Sequence, residues 1–463
     1  DVYKRQHLAT TEIYDPVLKQ WASGPTMQST RRRHSATMLP GGRVLIAGGQ
    51  NPANLATAEV LDVDAPTWTT DSSMTEARLR HTLTLLHGGK ILAAGGLGSQ
   101  TAEVRDLAGD WAATSNTLAV ERWNHTATLL RDGRVLLAGS GHSAASGKTT
   151  ELYHPGSNTF ALTEDMDFDR NAHTATLLPC GEVLVAGGQD EAGSPLASAE
   201  RYNPRTGEWR PTGGMVKARR WHTATLLRDG RVLVTGGSDG ADLDSVEVYD
   251  PASGTWAEIP APDNLLVARA RHRATLLPSG RVLLTGGVGS ADSAELFLPP
   301  GDALAPAGDT FVASAGGPLA SRSEEFTATL LPNGRVLIVG GNAAPLSAEL
   351  YDPARDAWLT MPSPGASRAS HAAVVTLDGE VLVTGGGTAS TQLFDIGRGE
   401  APTWRPDLTG ATDPLVQGSP LGLSGTGFQG QSEGSTGQGY MHSASNYPLV
   451  RLHRLDNDQV EWL

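Results

Sequence analysis

The stretch WHTATLLRDGRVLVTGG at residues 221–237 decides the fold, because near-copies of it recur along the chain. They read RHSATMLPGGRVLIAGG at 33–49, RHTLTLLHGGKILAAGG at 80–96, NHTATLLRDGRVLLAGS at 124–140 and AHTATLLPCGEVLVAGG at 172–188. RHRATLLPSGRVLLTGG at 271–287, EFTATLLPNGRVLIVGG at 325–341 and SHAAVVTLDGEVLVTGG at 370–386 complete the series. The first glycine of each closing pair falls at 48, 95, 139, 187, 236, 286, 340 and 385, a spacing of about 48 residues. Self-similarity at such a period signals a propeller or a solenoid array.

Each copy contains two short apolar runs around a glycine turn. Asp132-Gly133, Asp229-Gly230, Asn333-Gly334 and Asp378-Gly379 are hairpin turns whose central residues tolerate positive φ. Both runs are apolar at nearly every position, as in strands covered on both faces. A third run follows: AEVLDVD at 58–64, TELYHP at 150–155, AERYNP at 199–204, VEVYDP at 246–251, AELFLP at 294–299 and AELYDP at 348–353. A tryptophan commonly comes next, at 68, 111, 209, 256, 358 and 404. Each unit therefore reads as four antiparallel strands, the content of a β-propeller blade. The glycine pair marks a place where an added side chain would strike the neighbouring blade. The eight hairpins predict an all-β propeller of about eight four-stranded blades over residues 7–405.

Two segments fall outside the period. TEIYDPVLKQW at 11–21 is a third and fourth strand without the first two, either a clasp for ring closure or the remainder of a unit whose upstream part is missing. The insert 299–324 is the longest and reads as a protruding loop. After Trp404 the repeat stops, and residues 406–463 are rich in Gly, Ser and Thr with short strand-like runs. That predicts a truncated immunoglobulin-like sandwich, since a complete one needs about 100 residues.

The Gly-Gly pair, the Tyr-Asp-Pro turn and the spaced Trp together resemble the kelch repeat family. The order of propeller, Trp-Arg-Pro at 404–406 and sandwich, with SHAAVVTLDGEVLVTGGG at 370–387 and MHSASNYPLVRL at 441–452, resembles the galactose oxidase family. That resemblance implies a copper site on the propeller axis with two tyrosines, two histidines and a tyrosine–cysteine crosslink. His371 and His442 occupy matching positions. The slots that the tyrosines would fill, immediately before the repeated His, hold Arg33, Arg80, Asn124, Ala172, Trp221, Arg271, Glu325 and Ser370. Cys180 lies in a hairpin turn, the wrong place for the crosslink. The expectation is therefore no cofactor and no catalytic set, with a degenerate copper oxidase as the alternative.

The histidines at 34, 81, 125, 173, 222, 272 and 371 follow the repeat and not a ligand geometry. They are read as framework, hydrogen-bonded once per blade to backbone or to the repeated glutamates. Those glutamates, Glu59, Glu103, Glu151, Glu200, Glu247, Glu295 and Glu349, need partners if buried. Arg43, Arg134, Arg231, Arg281 and Arg335 in the turns, or the histidines, could supply them. DGADLDS at 239–245 lacks the full spacing of a calcium loop and reads as a solvated connection. No phosphate loop, HExxH or GxSxG is present.

Function on a repeat scaffold should lie where the copies differ. Arg33, Arg80, Trp123, Trp221 and Arg271 are the ligand-binding candidates, arginines with an indole suited to an acidic or sugar ligand. With 36 Lys+Arg against 50 Asp+Glu, a net charge of −14 disfavours nucleic acid. No run of 18 apolar residues exists to insert in a membrane. The reading is a non-enzymatic binding module for a protein or glycan. The family resemblance, five lysines and the acidic balance suggest an extracellular or surface bacterial protein.

Overall fold

The computed structural model describes residues 25–39, 42–62, 67–141, 147–289, 292–304, 308–317, 320–341, 347–361, 368–375 and 381–386. It also gives the backbone of short strands at 12–15, 20–22 and 391–394 and within 407–462. Seven of the eight repeats fold into a sheet of four consecutive antiparallel strands. The innermost strands of blades 1 to 7 are Ser35–Met38, Thr82–Leu85, Thr126–Leu129, Thr174–Leu177, Thr223–Leu226, Arg273–Leu276 and Thr327–Leu330. Blades of four consecutive strands therefore number seven among the described residues, not eight.

The eighth hairpin, His371–Val375 with Val381–Gly385, heads a closing sheet of different make. Its third strand, Thr391–Phe394, pairs in parallel with Glu12–Asp15, which pairs antiparallel with Gln20–Ala22. The first strands of the chain thus act as the expected clasp. His371–Val375 also lies against Ser35–Met38, so the eight sheets form a closed ring. Closure leaves no open end to the stack and few exposed strand edges.

The second strand of every sheet is buried along its whole length, consistent with sheets packed on both sides. Hydrophobic clusters accordingly span neighbouring blades. Leu136 and Leu152 of blade 3 pack with Val183, Tyr202 and Trp209 of blade 4. The Trp stacks on the Tyr opposite it in its own sheet, with ring centroids 5.2 Å apart for Tyr202–Trp209 and 4.9 Å for Tyr249–Trp256. The Trp209 indole also donates to Thr150 Oγ1 of blade 3 at 3.0 Å. Of the turn pairs, Gly133, Gly230 and Gly334 take positive φ, while Asp132, Asp229 and Asn333 do not. Leu130 N donates to Arg134 O and Gly133 N to Leu130 O, so this is a longer turn ending in a left-handed glycine. Asp378-Gly379 lies outside the described residues.

Two polar rings hold the blades. In the first, an arginine three residues before the repeated His is fully buried and meets the repeated glutamate. The pairs are Arg31–Glu59, Arg78–Glu103, Arg122–Glu151, Arg170–Glu200, Arg219–Glu247, Arg269–Glu295 and, one residue further back, Arg322–Glu349. The partners are these arginines and not the turn arginines. Arg231 turns to Asp229 and Asp309, and Arg281 to Asp302. In blade 5, Arg219 Nη1 donates to Gly236 O at 2.7 Å and Ser245 O at 3.0 Å, and Nη2 to Glu247 Oε1 at 2.6 Å. Glu247 also accepts from the backbone N–H of Val216 and Lys217, at 2.6 and 3.1 Å, fixing the connection that enters the blade.

In the second ring, six of the seven repeated histidines reach a hydroxyl of the preceding sheet. Nε2 of His125, His173, His222 and His371 lies 2.8–3.1 Å from Thr82, Thr126, Thr174 and Thr327 Oγ1. His34 meets Thr384 at 2.8 Å, across the closure. The partner is a hydroxyl, where backbone or glutamate was expected. His81 faces a blade that carries Ser35 in place of threonine, and its Nε2 has no partner among the described residues.

The glycine pair sits between these rings. A Cβ on Gly236 would fall 2.3 Å from Arg269 O of the next blade, at φ +55°. Gly237 N donates to that same carbonyl at 2.9 Å. Gly236→Ala must then push two blades apart, and it is expected to cost more than about 3 kcal/mol, read as a large drop in Tm. Gly156→Ala, in open space and without positive φ, is the control and should change stability by about 1 kcal/mol or less.

The segment 299–324 is not one loop, for it contains blade 6's fourth strand, Thr310–Ala313. Within 407–462, Asp407–Ala411 pairs with Leu423–Thr426 and Arg451–His453 with Val460–Trp462. Two further strands join the propeller itself. Ser435–Thr436 pairs antiparallel with the start of blade 5's innermost strand, and Met441–His442 parallel with that of blade 3. Most of the predicted sandwich, 406–463, lies outside the described residues.

Candidate ligand site at the channel mouth

All eight residues that precede the repeated His, or Phe326, adopt left-handed backbone. φ runs from 52° at Ala172 to 60° at Glu325, through Arg33, Arg80, Asn124, Trp221, Arg271 and Ser370. None is glycine, so each costs about 1 kcal/mol that the surrounding fold must offset. Neighbouring slots are joined directly. Arg33 N donates to Ser370 O at 3.2 Å, Ser370 N to Glu325 O at 3.1 Å, and Arg271 N to Trp221 O at 2.9 Å. The backbone is thus part of the repeat, while its side chains are not. These residues start the innermost strands, so they ring the propeller axis at the end where Ser435–Thr436 and Met441–His442 pair with blades 5 and 3.

The structure brings four of the five candidates into pairs. The Arg80 guanidinium carbon lies 5.3 Å from the Trp123 ring centroid. That of Arg271 lies 4.1 Å from the Trp221 centroid. Arg33 stands apart and reaches Glu325 at 3.7 Å. All five are half-buried.

Sequence reasoning missed Arg220, whose guanidinium carbon is also 4.1 Å from the Trp221 centroid. It missed Glu324 as well, which ion-pairs with Arg271. The signal was present, because the position two before the repeated His varies as much as the one after it. It holds Arg32, Leu79, Trp123, Asn171, Arg220, Ala270 and Ala369 in the seven copies that have the His. Arg220 Nη1 is fixed by Gln189 Oε1 at 2.6 Å and Gly193 O at 3.0 Å. Its Nε is buried without an acceptor, and no carboxylate pairs with it among the described residues. Asp242, on the connection after blade 5's glycine pair, faces Arg271; burial raises its pKa while Arg271 opposes the rise.

The repeated groups are committed elsewhere. Burial, reinforced by nearby arginines, pushes His34, His81, His125 and His222 down to about 3, and His173, His272 and His371 well below their usual range. These imidazoles are neutral and stand between sheets. His371 turns to Thr327, whereas His442 lies along blade 3, three sheets away around the ring. Cys180 is exposed on its hairpin turn. Among the described residues no three His, Cys, Asp or Glu side chains are grouped to hold a metal ion. The acidic run 239–245 is the connection between Val232–Thr235 and Val246–Asp250, as expected.

The kelch motif model matches residues 170–215 and 222–262, which are blade 4 and blade 5 with their entering connections. No curated protein matches the chain in sequence. Among solved structures, the chain is similar to a fungal alcohol oxidase of the AA5 family in complex with copper. The identity is 14%, the TM-score 0.54, and the alignment covers 94% of this chain and 90% of that one.

Proposed function

We propose that this β-propeller, whose blades 4 and 5 match the kelch motif, is a non-enzymatic binding module that recognises a glycan or protein at one end of the ring. One observation carries the reading: a strained, eightfold repeated backbone ring displays side chains that vary from blade to blade, arginine in three copies and five other residue types in the rest. The repeated His, Glu and Arg are spent on holding blades together, which leaves the variable ring as the surface free to specify a ligand. We place the protein outside the cell or on its surface, on resemblance and composition. Array screening against glycans and surface proteins tests the binding reading. Trp221→Ala is expected to lower binding at least tenfold with unchanged Tm, since the indole is half-buried and packs on arginines. Hits that ignore this substitution would move the site elsewhere.

A copper oxidase is the second reading, favoured by the fold likeness and by the pairing of Met441–His442 inside the ring. The donor set does not fit it. Ser370 stands where a ligating tyrosine would be, the other seven slots hold no phenol, and His371 is bonded to Thr327. Purified protein is expected to lack stoichiometric copper after copper loading and to form no substrate-dependent peroxide. Either signal would overturn the binding-module reading.

A further inference from the structure

We infer that the outer part of this same end of the ring, over blades 4 to 6, docks a protein segment carrying an apolar strip edged by lysine and arginine. This rests on the proposed binding function and narrows its ligand to a protein. Antiparallel order within each blade puts two sets of connections at that end, those between second and third strands and those that enter the next blade. The entering connections are clamped alike, because one or two successive backbone N–H groups donate to the buried glutamate of the third strand. Thr75 and Glu76 donate to Glu103, Asp167 to Glu200, Val216 and Lys217 to Glu247, and Leu266 and Val267 to Glu295. The backbone therefore repeats while its outward side chains vary, as they do in the left-handed ring. Blades 1 and 2 carry Gln28, Ser29, Thr75 and Glu76 at these positions, and blade 7 carries Ala320 and Ser321. Blades 4 to 6 carry Phe168, Val216, Leu266 and Val267 there, beside Asp167 and Lys217.

Phe168, Val216 and Leu266 are 45–60% exposed, and Val267 and Val288, the latter just after blade 6's glycine pair, are 38% exposed. These five are half of the large apolar side chains exposed among the described residues, and they fall on three consecutive blades. Apolar side chains held open on a fixed backbone mark a surface for protein contact. The third strand stands two strands out from the innermost one, so the arc lies outward of the strand starts where Ser435–Thr436 and Met441–His442 pair. Charge selects the partner. Asp165, Asp167, Glu191, Asp239, Asp244 and Asp263 are exposed on the same connections, against Lys217 as the exposed cation among the described residues. An apolar strip rimmed by carboxylates complements one rimmed by lysine and arginine. A second copy of this chain, at a net charge of −14, would bring carboxylate onto carboxylate, and an anionic lipid surface would be repelled in the same way. Aliphatic anchors offer no hydrogen bond to the hydroxyls of a sugar, which favours protein over glycan.

Peptides selected on the full chain from a displayed random library, with a glycan array run alongside, test this. The selected peptides are expected to combine Lys and Arg with Leu, Ile or Phe. The double variant V216S/L266S should weaken their binding by about tenfold or more with unchanged Tm, since two exposed anchors are lost. The double variant D165N/D244N should weaken it by about two- to fivefold and flatten its salt dependence between about 0.05 and about 0.3 M. Leu359→Ser, comparably exposed on blade 7's outer strand, should do nothing. Peptides that ignore Trp221→Ala but not V216S/L266S would support the arc and vacate the inner ring. Selected peptides without basic residues, or peptides that bind V216S/L266S as tightly as the parent, would overturn this inference. Glycan hits insensitive to that variant, with no peptide selected, would overturn it too and keep the binding-module reading. Neither peptide nor glycan binding would sink both.

Discussion

Arg219→Met is expected to destabilise the protein by about 3–5 kcal/mol, the cost of leaving a buried charge uncompensated. Glu247 is fully buried, and its other contacts are the backbone N–H groups of Val216 and Lys217. Once the guanidinium goes, the carboxylate must be desolvated without a counter-charge, and Gly236 O and Ser245 O lose their donors. The double variant R219M/E247L removes the stranded charge and should recover much of the loss. It should not recover all of it, because Val216 and Lys217 then lose their acceptor. Denaturant melts of the two single variants and the double variant measure the coupling directly. Equal losses in Arg219→Met and R219M/E247L would show that the carboxylate was never the problem. The arginine would then act only through packing and its carbonyl acceptors.

This pair also explains what the sequence hid. The histidines and glutamates were legible because they repeat within the conspicuous hairpin and third strand. Arg219 repeats as faithfully, three residues before His222, but it sits in the connection entering the blade, where no hydrophobic period draws attention. A buried arginine is uncommon enough that the exposed turn arginines looked like the natural partners. The left-handed ring was hidden for another reason. Arg, Trp, Glu and Ala have no preference for positive φ, so nothing in their identities announces it. The surrounding repeat imposes that backbone, and only three-dimensional closure reveals it.

Blade count failed on the same ground. Eight hairpins are real, but a hairpin does not say where its outer strands come from. In the closing sheet, TQLF at 391–394 has glutamine where the other third strands have glutamate, and the register places Glu12 opposite Gln392. A strand from the far end of the chain completes the sheet there. Only the mouth candidates were chosen by difference, not by repetition. That choice brought Trp221 and Arg271 onto one another, and it missed Arg220 although Trp123 had been taken from the same column, two residues before the repeated His.

Mild acid is expected to unfold the propeller well above the range where carboxylates titrate. Seven buried imidazoles stay neutral in the folded ring, four of them pushed down to about 3. Unfolded, each takes a proton near its ordinary value of about 6.5. Below that pH the unfolded chain binds more protons than the folded one, so stability falls as pH falls. Above it the histidines contribute no pH dependence. Each shifted group contributes up to about 1.4 kcal/mol per pH unit, so seven approach on the order of 10 kcal/mol per unit. A domain stable by about 5–15 kcal/mol cannot survive that slope for long, which puts the midpoint near about pH 5. Asp132 and Asp352, held low by arginines that outweigh their burial, add the same sign of dependence only further down. His222→Phe isolates one imidazole, because Phe326 fills the same slot in blade 7, fully buried. That variant should lose one proton from the uptake on unfolding and move the acid midpoint downward, after allowance for the hydroxyl of Thr174 losing its partner. Circular dichroism between pH 7 and pH 3, with urea midpoints at each step, gives the slope. A ring still folded at pH 4 would mean that the imidazoles accept protons in place, through openings between the sheets that admit water.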